Sequence, residues 1–248
     1  MSSPEDPRSW LVAHRGHASQ YPENTLSAMV SAATVGLELI EFDVQLTADL
    51  QPVVLHDASL RRTAGRDRRI FELRARDIER INAGYADRFG DRFAVEPLPL
   101  LSQVVRFFAT RPALTPIVEI KPESVRALGE EAAVDAVMTV LGPILSRCVV
   151  ISFDRGVVAA ARRRGAPAVG WCLNRYEAET RAAARDLVPD YLLVNHRRLP
   201  PDGEAPWPGP WEWMSWEVAD VGLARQLRQR GVRYIETMAG AELLAELS

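Results

Sequence analysis

The sequence predicts an α/β fold, a (β/α)₈ TIM barrel with a small insertion after the second strand. Short apolar runs rich in β-branched residues alternate with helical patterns throughout the 248 residues. Eight predicted strands that alternate with helical patterns over about 250 residues are typical of this barrel. No Gly-x-Gly-x-x-Gly or Walker-type loop follows any strand, which disfavours the alternative, a doubly wound open sheet of the nucleotide-binding kind.

The eight barrel strands are predicted from runs of apolar and β-branched residues between turn signals. Each run is five or six residues long, as expected for strands that are buried on both faces. The predicted strands are residues 10–14, 39–43, 116–121, 148–152, 167–172, 190–195, 213–218 and 232–236.

Helices are predicted where apolar residues recur with a spacing of three to four. Asn24 and Thr25 are candidate caps for the first of them, because both side chains can accept a hydrogen bond from a backbone N–H group. The predicted helices are residues 25–35, 99–110, 124–141, 155–164, 176–186, 219–230 and 240–247.

The insertion is predicted at residues 44–97, within one barrel domain that spans residues 1–248. Thr47, Ala48 and Asp49 separate the second strand from another apolar run at 52–56. So short a connection permits only an antiparallel return, which predicts a hairpin above the barrel. The rest of the insertion is rich in arginine and aspartate, with one helical pattern near 73–82.

Composition excludes several classes of partner. The 33 acidic and 30 basic residues give a net charge of -3, which offers no footprint for nucleic acid or for an anionic membrane surface. No segment approaches 18 consecutive apolar residues, so stable membrane insertion is not expected. Cys148 and Cys172 lie in apolar runs without paired spacing, as buried cysteines of a reducing compartment do. We therefore expect a cytoplasmic protein.

Polar residues collect at the carboxyl ends of the predicted strands, where barrel enzymes build their active sites. Residues two apart on a strand share a face. The side chains of Glu41 and Asp43 are therefore expected to point the same way, and so are those of Glu119 and Lys121. A pair of inward carboxylates on an apolar strand is costly without a cation. The residues concerned are His14, Arg15, Glu41, Asp43, His56, Glu119 and Lys121, the last being the one lysine among the 30 basic residues.

This set of side chains favours hydrolysis of a phosphate ester. Glu41, Asp43 and Glu119 offer only oxygen ligands, which suit a hard divalent cation, Mg²⁺ or Ca²⁺. Two histidines near the cation can share general acid and base duties, and Arg15 with Lys121 can hold anionic oxygens. A diester is favoured because its departing alkoxide needs a proton donor opposite the base.

Five sequence blocks then resemble the glycerophosphodiester phosphodiesterase family. They are HRGHASQYPENTLSAM (14–29), IEFDVQLTADLQPVVLHDASLRRT (40–63), IVEIKP (117–122), SFD (152–154) and WEVAD (216–220). The resemblance implies metal-dependent cleavage of a small glycerophosphodiester to glycerol 3-phosphate and an alcohol.

Carried over residue by residue, the resemblance assigns catalysis to His14 and His56. It places the cation on Glu41, Asp43 and Glu119. It further implies that Arg15 and Lys121 face the phosphate and that Trp216 lines the glycerol end of the substrate. Apart from Trp216, this set agrees with the one obtained from the strand ends.

The sequence departs from the family pattern near the substrate. The usual Trp-Thr-Val-Asn is Trp216, Glu217, Val218 and Ala219, the usual Thr-Asp is Thr237 and Met238, and the usual Thr-Lys-Asp-Gly is residues 47–50. These departures leave open a phosphate-binding barrel with altered catalysis, or a lysophospholipase D-type activity on lysophospholipids. A lone lysine at a strand end also leaves open a Schiff-base lyase.

Overall fold

A computed structural model describes residues 6–201 and 203–247, and nine strands in this part of the chain form one sheet. Each lies at or within a few residues of a predicted run. The strands are β1 (Leu11–Ala13), β2 (Leu39–Leu46), β3 (Pro52–Val54), β4 (Thr115–Ile120), β5 (Val149–Ser152), β6 (Ala168–Leu173), β7 (Tyr191–Asn195), β8 (Glu212–Trp216) and β9 (Val232–Thr237).

Eight of these strands close into a parallel barrel. The order is β1-β9-β8-β7-β6-β5-β4-β2, and β1 also pairs with β2, so the sheet has no open side. Val12 pairs with Leu39 on one side and with Glu236 on the other. The predicted (β/α)₈ TIM barrel is therefore confirmed, and the doubly wound open sheet is excluded.

Helices follow the strands around the barrel. The first is capped by Thr25, whose side chain accepts a hydrogen bond from the Ala28 N–H group, whereas Asn24 is used elsewhere. The longer helices are α1 (Leu26–Thr34), α5 (Leu101–Ala109), α6 (Pro122–Leu128), α7 (Glu130–Leu141), α8 (Arg155–Arg163), α9 (Ala178–Leu187), α10 (Val221–Gln229) and α11 (Gly240–Leu247), and the insertion adds α2 (Arg61–Ala64), α3 (Ala75–Ile78) and α4 (Ala86–Phe89).

Two segments differ from the predicted helices. The pattern at 124–141 is broken into α6 and α7 at Gly129, whose φ of 94° is available to glycine without steric cost. The insertion contains three helical turns and two short 3₁₀ segments (Ile70–Glu72 and Gly90–Phe93) in place of one helix. Such single turns are too short to show a hydrophobic period in the sequence.

The hairpin is an extension of β2 beyond the barrel rim. β3 returns antiparallel, with Val44 opposite Val54, so the carboxyl end of β2 and the start of the insertion lie over the same barrel face. Leu50 in the connecting turn has a φ of 57°, although the family usually has glycine there. A leucine in this left-handed region costs on the order of 1 kcal/mol.

The barrel interior is polar at the rim formed by the carboxyl ends of the strands and apolar further inside. Its buried cluster is formed by residues that point inward from the strands, namely Val12, Ile117, Val149, Ile151, Cys172, Leu193 and Met214. The larger core lies between the strands and the helices. Since side chains alternate along a strand, Ile117 faces inward in the same row as Glu119. No helix of the described ranges is both long and apolar enough to span a bilayer.

Candidate active site

A cavity at the carboxyl ends of the barrel strands collects most of the predicted site residues. It is lined by His14, Arg15, His56, Glu119, Lys121, Ile151, Phe153, Cys172, Leu193, Trp216 and Glu236. Glu41 and Asp43 lie next to it, each 1% exposed. All eight residues predicted from the sequence therefore lie in or beside one pocket, although only six of them line it directly.

Glu41, Asp43 and Glu119 form a compact carboxylate cluster. One oxygen from each of the three can be chosen so that all lie within 4.8 Å of one another. Glu41 Oε1 is buried and accepts no hydrogen bond from the described residues, whereas the buried Asp43 Oδ1 and Glu119 Oε1 face the Lys121 ammonium at 3.3 and 2.7 Å. Because buried carboxylate oxygens are costly when left without a partner, this arrangement fits a divalent cation.

Burial and the neighbouring charges shift the pKa values of the three carboxyl groups in this cluster. Burial, with help from Asp43 and Glu236, raises the pKa of Glu41 well above its usual range. Burial also raises the pKa of Glu119, despite the opposing effect of Lys121. The pKa of Asp43 is lowered, since Lys121 and Arg15 outweigh its burial. Two of the three carboxylates therefore need more positive charge than the protein itself supplies.

Asp43 is held in place from the loop after β1. Asn24 donates through Nδ2 to Asp43 Oδ2 at 2.8 Å and accepts from the Asp43 backbone N–H group at 3.0 Å. Asn24 has a φ of 60°, a strained value that is often kept at functional sites. From the sequence, Asn24 is predicted only as a candidate helix cap; in the structure it holds Asp43, a predicted cation ligand, through two hydrogen bonds.

Arg15 combines a backbone and a side-chain role. Its φ is 58°, and its backbone N–H group donates to Glu41 Oε2 at 3.0 Å. Its guanidinium lies 2.8 Å from Glu23 and 3.3 Å from Asp43. The following residue must be small, because a Cβ on Gly16 would lie 2.7 Å from the Ala28 carbonyl carbon.

His56 is oriented by a chain of ion pairs from the insertion. Its Nδ1 lies 2.6 Å from Asp57 Oδ1, and Asp57 Oδ2 accepts from Arg62 Nε at 2.7 Å. Arg62 in turn binds Glu23 through two 2.7 Å hydrogen bonds. Glu23 is 6% exposed and also binds Arg15, so it joins the two sides of the pocket. Its place in the PENT block gave no hint of this role.

His14 lies among carboxylates on three sides. Its Nδ1 is 2.5 Å from Glu217 Oε2, and its Nε2 is 3.9 Å from Glu41 Oε2. His14, Glu41 and Glu236 can also bring one ligand atom each within 4.8 Å of one another. Burial alone would lower the pKa of His14, but Glu236 and Glu217 raise it above its ordinary value.

Glu236 is a site residue that the sequence analysis missed. It is 3% exposed and faces into the barrel from β9. Burial raises its pKa to about 7, against the opposing effect of His14. The signal in the sequence was a single acidic residue in the last apolar strand, which by itself does not indicate the side of the sheet on which it lies.

Trp216 lines the cavity at the end of β8. Its ring packs edge-on against Phe153, with centroids 5.8 Å apart. Together with Ile151 and Leu193 these rings form the apolar part of the cavity lining. The pocket thus offers one polar and one apolar side to a small molecule.

Lys121 is wedged between two carboxylates. Its Nζ lies 2.7 Å from Glu119 Oε1 and 3.3 Å from Asp43 Oδ1, with the Phe153 ring centroid at 5.7 Å. The residue is 5% exposed, so the wider, planar guanidinium of arginine has little room here.

We expect Lys121→Arg to lower kcat/KM nearly as much as Lys121→Ala, on the order of 10²-fold, because it displaces the neighbouring carboxylates. Steady-state kinetics on a phosphodiester would measure this. Arg126→Lys, an exposed exchange on α6, serves as the control with unchanged kinetics. Wild-type rates in Lys121→Arg would show that the position requires only a positive charge.

Comparison with known proteins identifies the family. The family model described as the glycerophosphoryl diester phosphodiesterase family matches residues 14–202. The chain belongs to this family. The match includes seven of the eight predicted site residues, and only Trp216 lies beyond it.

Individual relatives match over shorter stretches. A glycerophosphodiester phosphodiesterase from Caldanaerobacter subterraneus is 36% identical over 114 residues, 46% of this chain and 46% of the relative. A similarly named protein from Bacillus altitudinis is 32% identical over 149 residues, 60% of each. The aligned stretches thus span about half the length of these relatives.

Solved structures of low identity share the family fold. A phosphodiesterase from Oleispira antarctica, in complex with the product sn-glycerol-3-phosphate, has a TM-score of 0.81 at 21% identity and covers 95% of both chains. A glycerophosphoryl diester phosphodiesterase from Silicibacter pomeroyi has a TM-score of 0.78 at 21% identity, over 96% of this chain and 93% of that one. At this identity the likeness shows the barrel fold alone.

Proposed function

We propose that this family member hydrolyses glycerophosphodiesters to glycerol 3-phosphate and an alcohol with the help of a divalent cation, Mg²⁺ or Ca²⁺. The observation that carries the proposal is the cluster of Glu41, Asp43 and Glu119, in which the buried Glu41 Oε1 accepts no hydrogen bond from the described residues, beside two histidines in one cavity. Family membership and the glycerol 3-phosphate bound by the Oleispira antarctica neighbour support the same substrate class.

The cation would be held by Glu41, Asp43 and Glu119. When bound, it would supply positive charge to the phosphate oxygens as the negative charge on them develops. The protein contributes further charge through Lys121 and Arg15, whose pKa values are raised by Asp43 despite their burial, so both remain cations. The phosphate of the diester would lie between these groups.

Proton transfer falls to His14 and His56. One histidine accepts the proton of the attacking hydroxyl or water, and the other donates a proton to the departing alkoxide as its P–O bond breaks. Both rings line the cavity, and both have Nδ1 bonded to a carboxylate. Nε2 is therefore the nitrogen through which each ring exchanges protons with the substrate.

The apolar wall formed by Trp216 and Phe153 would receive the carbon chain of the glycerol. The free cysteines Cys148 and Cys172 are both buried, which supports a reducing compartment such as the cytoplasm as the site of action. We propose a water-soluble diester as the substrate class, with a lysophospholipid as the alternative to be tested.

The test is release of glycerol 3-phosphate from glycerophosphocholine or glycerophosphoethanolamine with Mg²⁺, Mn²⁺ or Ca²⁺ in turn. We expect turnover with at least one cation and faster cleavage of these diesters than of lysophosphatidylcholine. Preference for the lysophospholipid would transfer the assignment to a lysophospholipase D-type activity. Calorimetric binding of glycerol 3-phosphate without turnover of any diester would identify a binding barrel instead.

A further inference from the structure

Glu217 makes a contact that the family resemblance does not predict. It occupies a position where the family usually has threonine, directly after β8. Its Oε2 lies 2.5 Å from His14 Nδ1, and its Oε1 accepts a 2.7 Å hydrogen bond from the Met238 backbone N–H group. We propose that Glu217 is a positioning residue that fixes the ring orientation and the tautomer of His14.

The two hydrogen bonds immobilise the carboxylate. One oxygen is bonded to the backbone directly after β9 and the other to the ring of His14 directly after β1, so three neighbouring strand ends meet at this side chain. About a third of the Glu217 side chain, 33%, is exposed, in contrast to 1% for Glu41. Glu217 is therefore reached by solvent, while the Glu41 carboxylate is shielded from it.

The contact decides which ring nitrogen of His14 is free. A carboxylate accepts hydrogen bonds only, so it favours the tautomer in which Nδ1 carries the proton. The nearest carboxylate to Nε2 is Glu41 at 3.9 Å, which is too far for a hydrogen bond. His14 Nε2 is thus left with its lone pair available when the ring is neutral.

His56 shows the same arrangement by an independent route. Its Nδ1 is bonded to Asp57, and the second oxygen of Asp57 is bonded to Arg62 Nε. In both histidines a carboxylate holds Nδ1 while an N–H donor holds the other carboxylate oxygen. The partner of His56 is the next residue in the chain, whereas the partner of His14 lies 203 residues away.

The inference rests on the proposed acid and base role of His14, and Glu217→Gln tests it. The amide has the size of the carboxylate, and its oxygen can still accept from the Met238 N–H group. Its NH₂ group then faces His14 Nδ1 and favours the opposite tautomer, with the proton on Nε2. We expect kcat to fall by roughly 10²-fold, with KM changed less than about threefold.

The tautomer is read directly from ¹⁵N chemical shifts of the histidine rings in the Mg²⁺-loaded protein. The His14 signals are assigned by their loss in His14→Gln. Wild type is expected to show the proton on Nδ1, and Glu217→Gln the proton on Nε2. Glu212→Gln, an exposed carboxylate on the same strand, is the matched control and should change neither kcat nor the spectrum.

Failure of this inference differs from failure of the proposed function. If His14→Gln loses turnover while Glu217→Gln keeps both wild-type kcat and the wild-type tautomer, Glu217 is not a positioning residue. A fall in kcat with an unchanged His14 tautomer also overturns the inference. If His14→Gln itself retains turnover, the acid and base role of His14 is wrong, whereas a tautomer switch in Glu217→Gln would still support positioning of the ring.

Discussion

We expect His14→Ala and His56→Ala each to lower kcat by about 10² to 10⁴-fold, the usual contribution of a positioned general acid or base. Each substitution removes one of the two proton carriers that line the cavity. Because the two histidines act in one reaction step, we expect the double variant to be little worse than the poorer single variant. Initial rates of glycerol 3-phosphate release would measure both effects.

Stability is the control for this experiment. His56 has 31% of its side chain exposed, so its removal leaves no buried cavity. Loss of His14 frees Glu217, which is exposed enough to be solvated by water. We therefore expect both variants to melt within a few degrees of wild type. His196→Ala, a half-buried histidine after β7 outside the cavity lining, should keep wild-type kinetics. Near-normal kcat in either active-site variant would contradict the assignment.

The fold was predictable because its signal is repeated around the barrel. Each barrel strand is a short apolar run between turn signals, and each of the eight carries this pattern independently. The break at Gly129 and the single turns of the insertion were not predictable, since one glycine within a helical period and turns of four residues leave the periodicity unchanged.

The site was predictable where chemistry and chain position coincide. Glu41 and Asp43, or Glu119 and Lys121, share a strand face because they are two residues apart, so their proximity follows from the sequence. The residues that position these side chains cannot be predicted from the sequence in the same way. Asn24 contacts Asp43, and Glu217 contacts His14, because the closed barrel brings neighbouring strand ends together. Such contacts between residues far apart in the chain leave no local pattern in the sequence.

Glu217 also changes the meaning of a departure from the family pattern. From the sequence alone, a glutamate in place of threonine suggested altered substrate binding or lost catalysis. In the structure this glutamate bonds the ring of His14 and leaves the cavity lining to Trp216. A substitution next to the pocket can thus support the same chemistry by a different contact.

Removal of the divalent cation is expected to abolish turnover and to destabilise the protein, more strongly at pH 8 than at pH 5.5. Without a cation, burial and mutual repulsion raise the pKa values of Glu41, Glu119 and Glu236. The folded protein then binds more protons than the unfolded chain above the usual carboxyl pKa, so its stability falls as the pH rises. The raised pKa of His14 acts in the same direction.

Asp43 makes stability depend on pH in the opposite direction, but over a different pH range. Its pKa is lowered by Lys121 and Arg15, which outweigh its burial, so its contribution to stability is lost only in acid, below its ordinary pKa. Between pH 5.5 and 8 the three carboxyl groups with raised pKa values, together with His14, therefore decide how stability changes with pH. Since a cation binds the deprotonated carboxylates, its stabilising effect should grow over this same interval.

Thermal unfolding at the two pH values, with EDTA or with Mg²⁺ or Ca²⁺, measures the effect. At a hundredfold excess over Kd a ligand stabilises the folded state by about 2.7 kcal/mol, equivalent to about 5–10 °C for a chain of this size. Glu41→Gln should lose the cation-dependent shift, and Glu212→Gln should keep it. An equal melting temperature with EDTA and with cation at pH 8, or turnover that survives excess EDTA, would contradict cation binding by Glu41, Asp43 and Glu119.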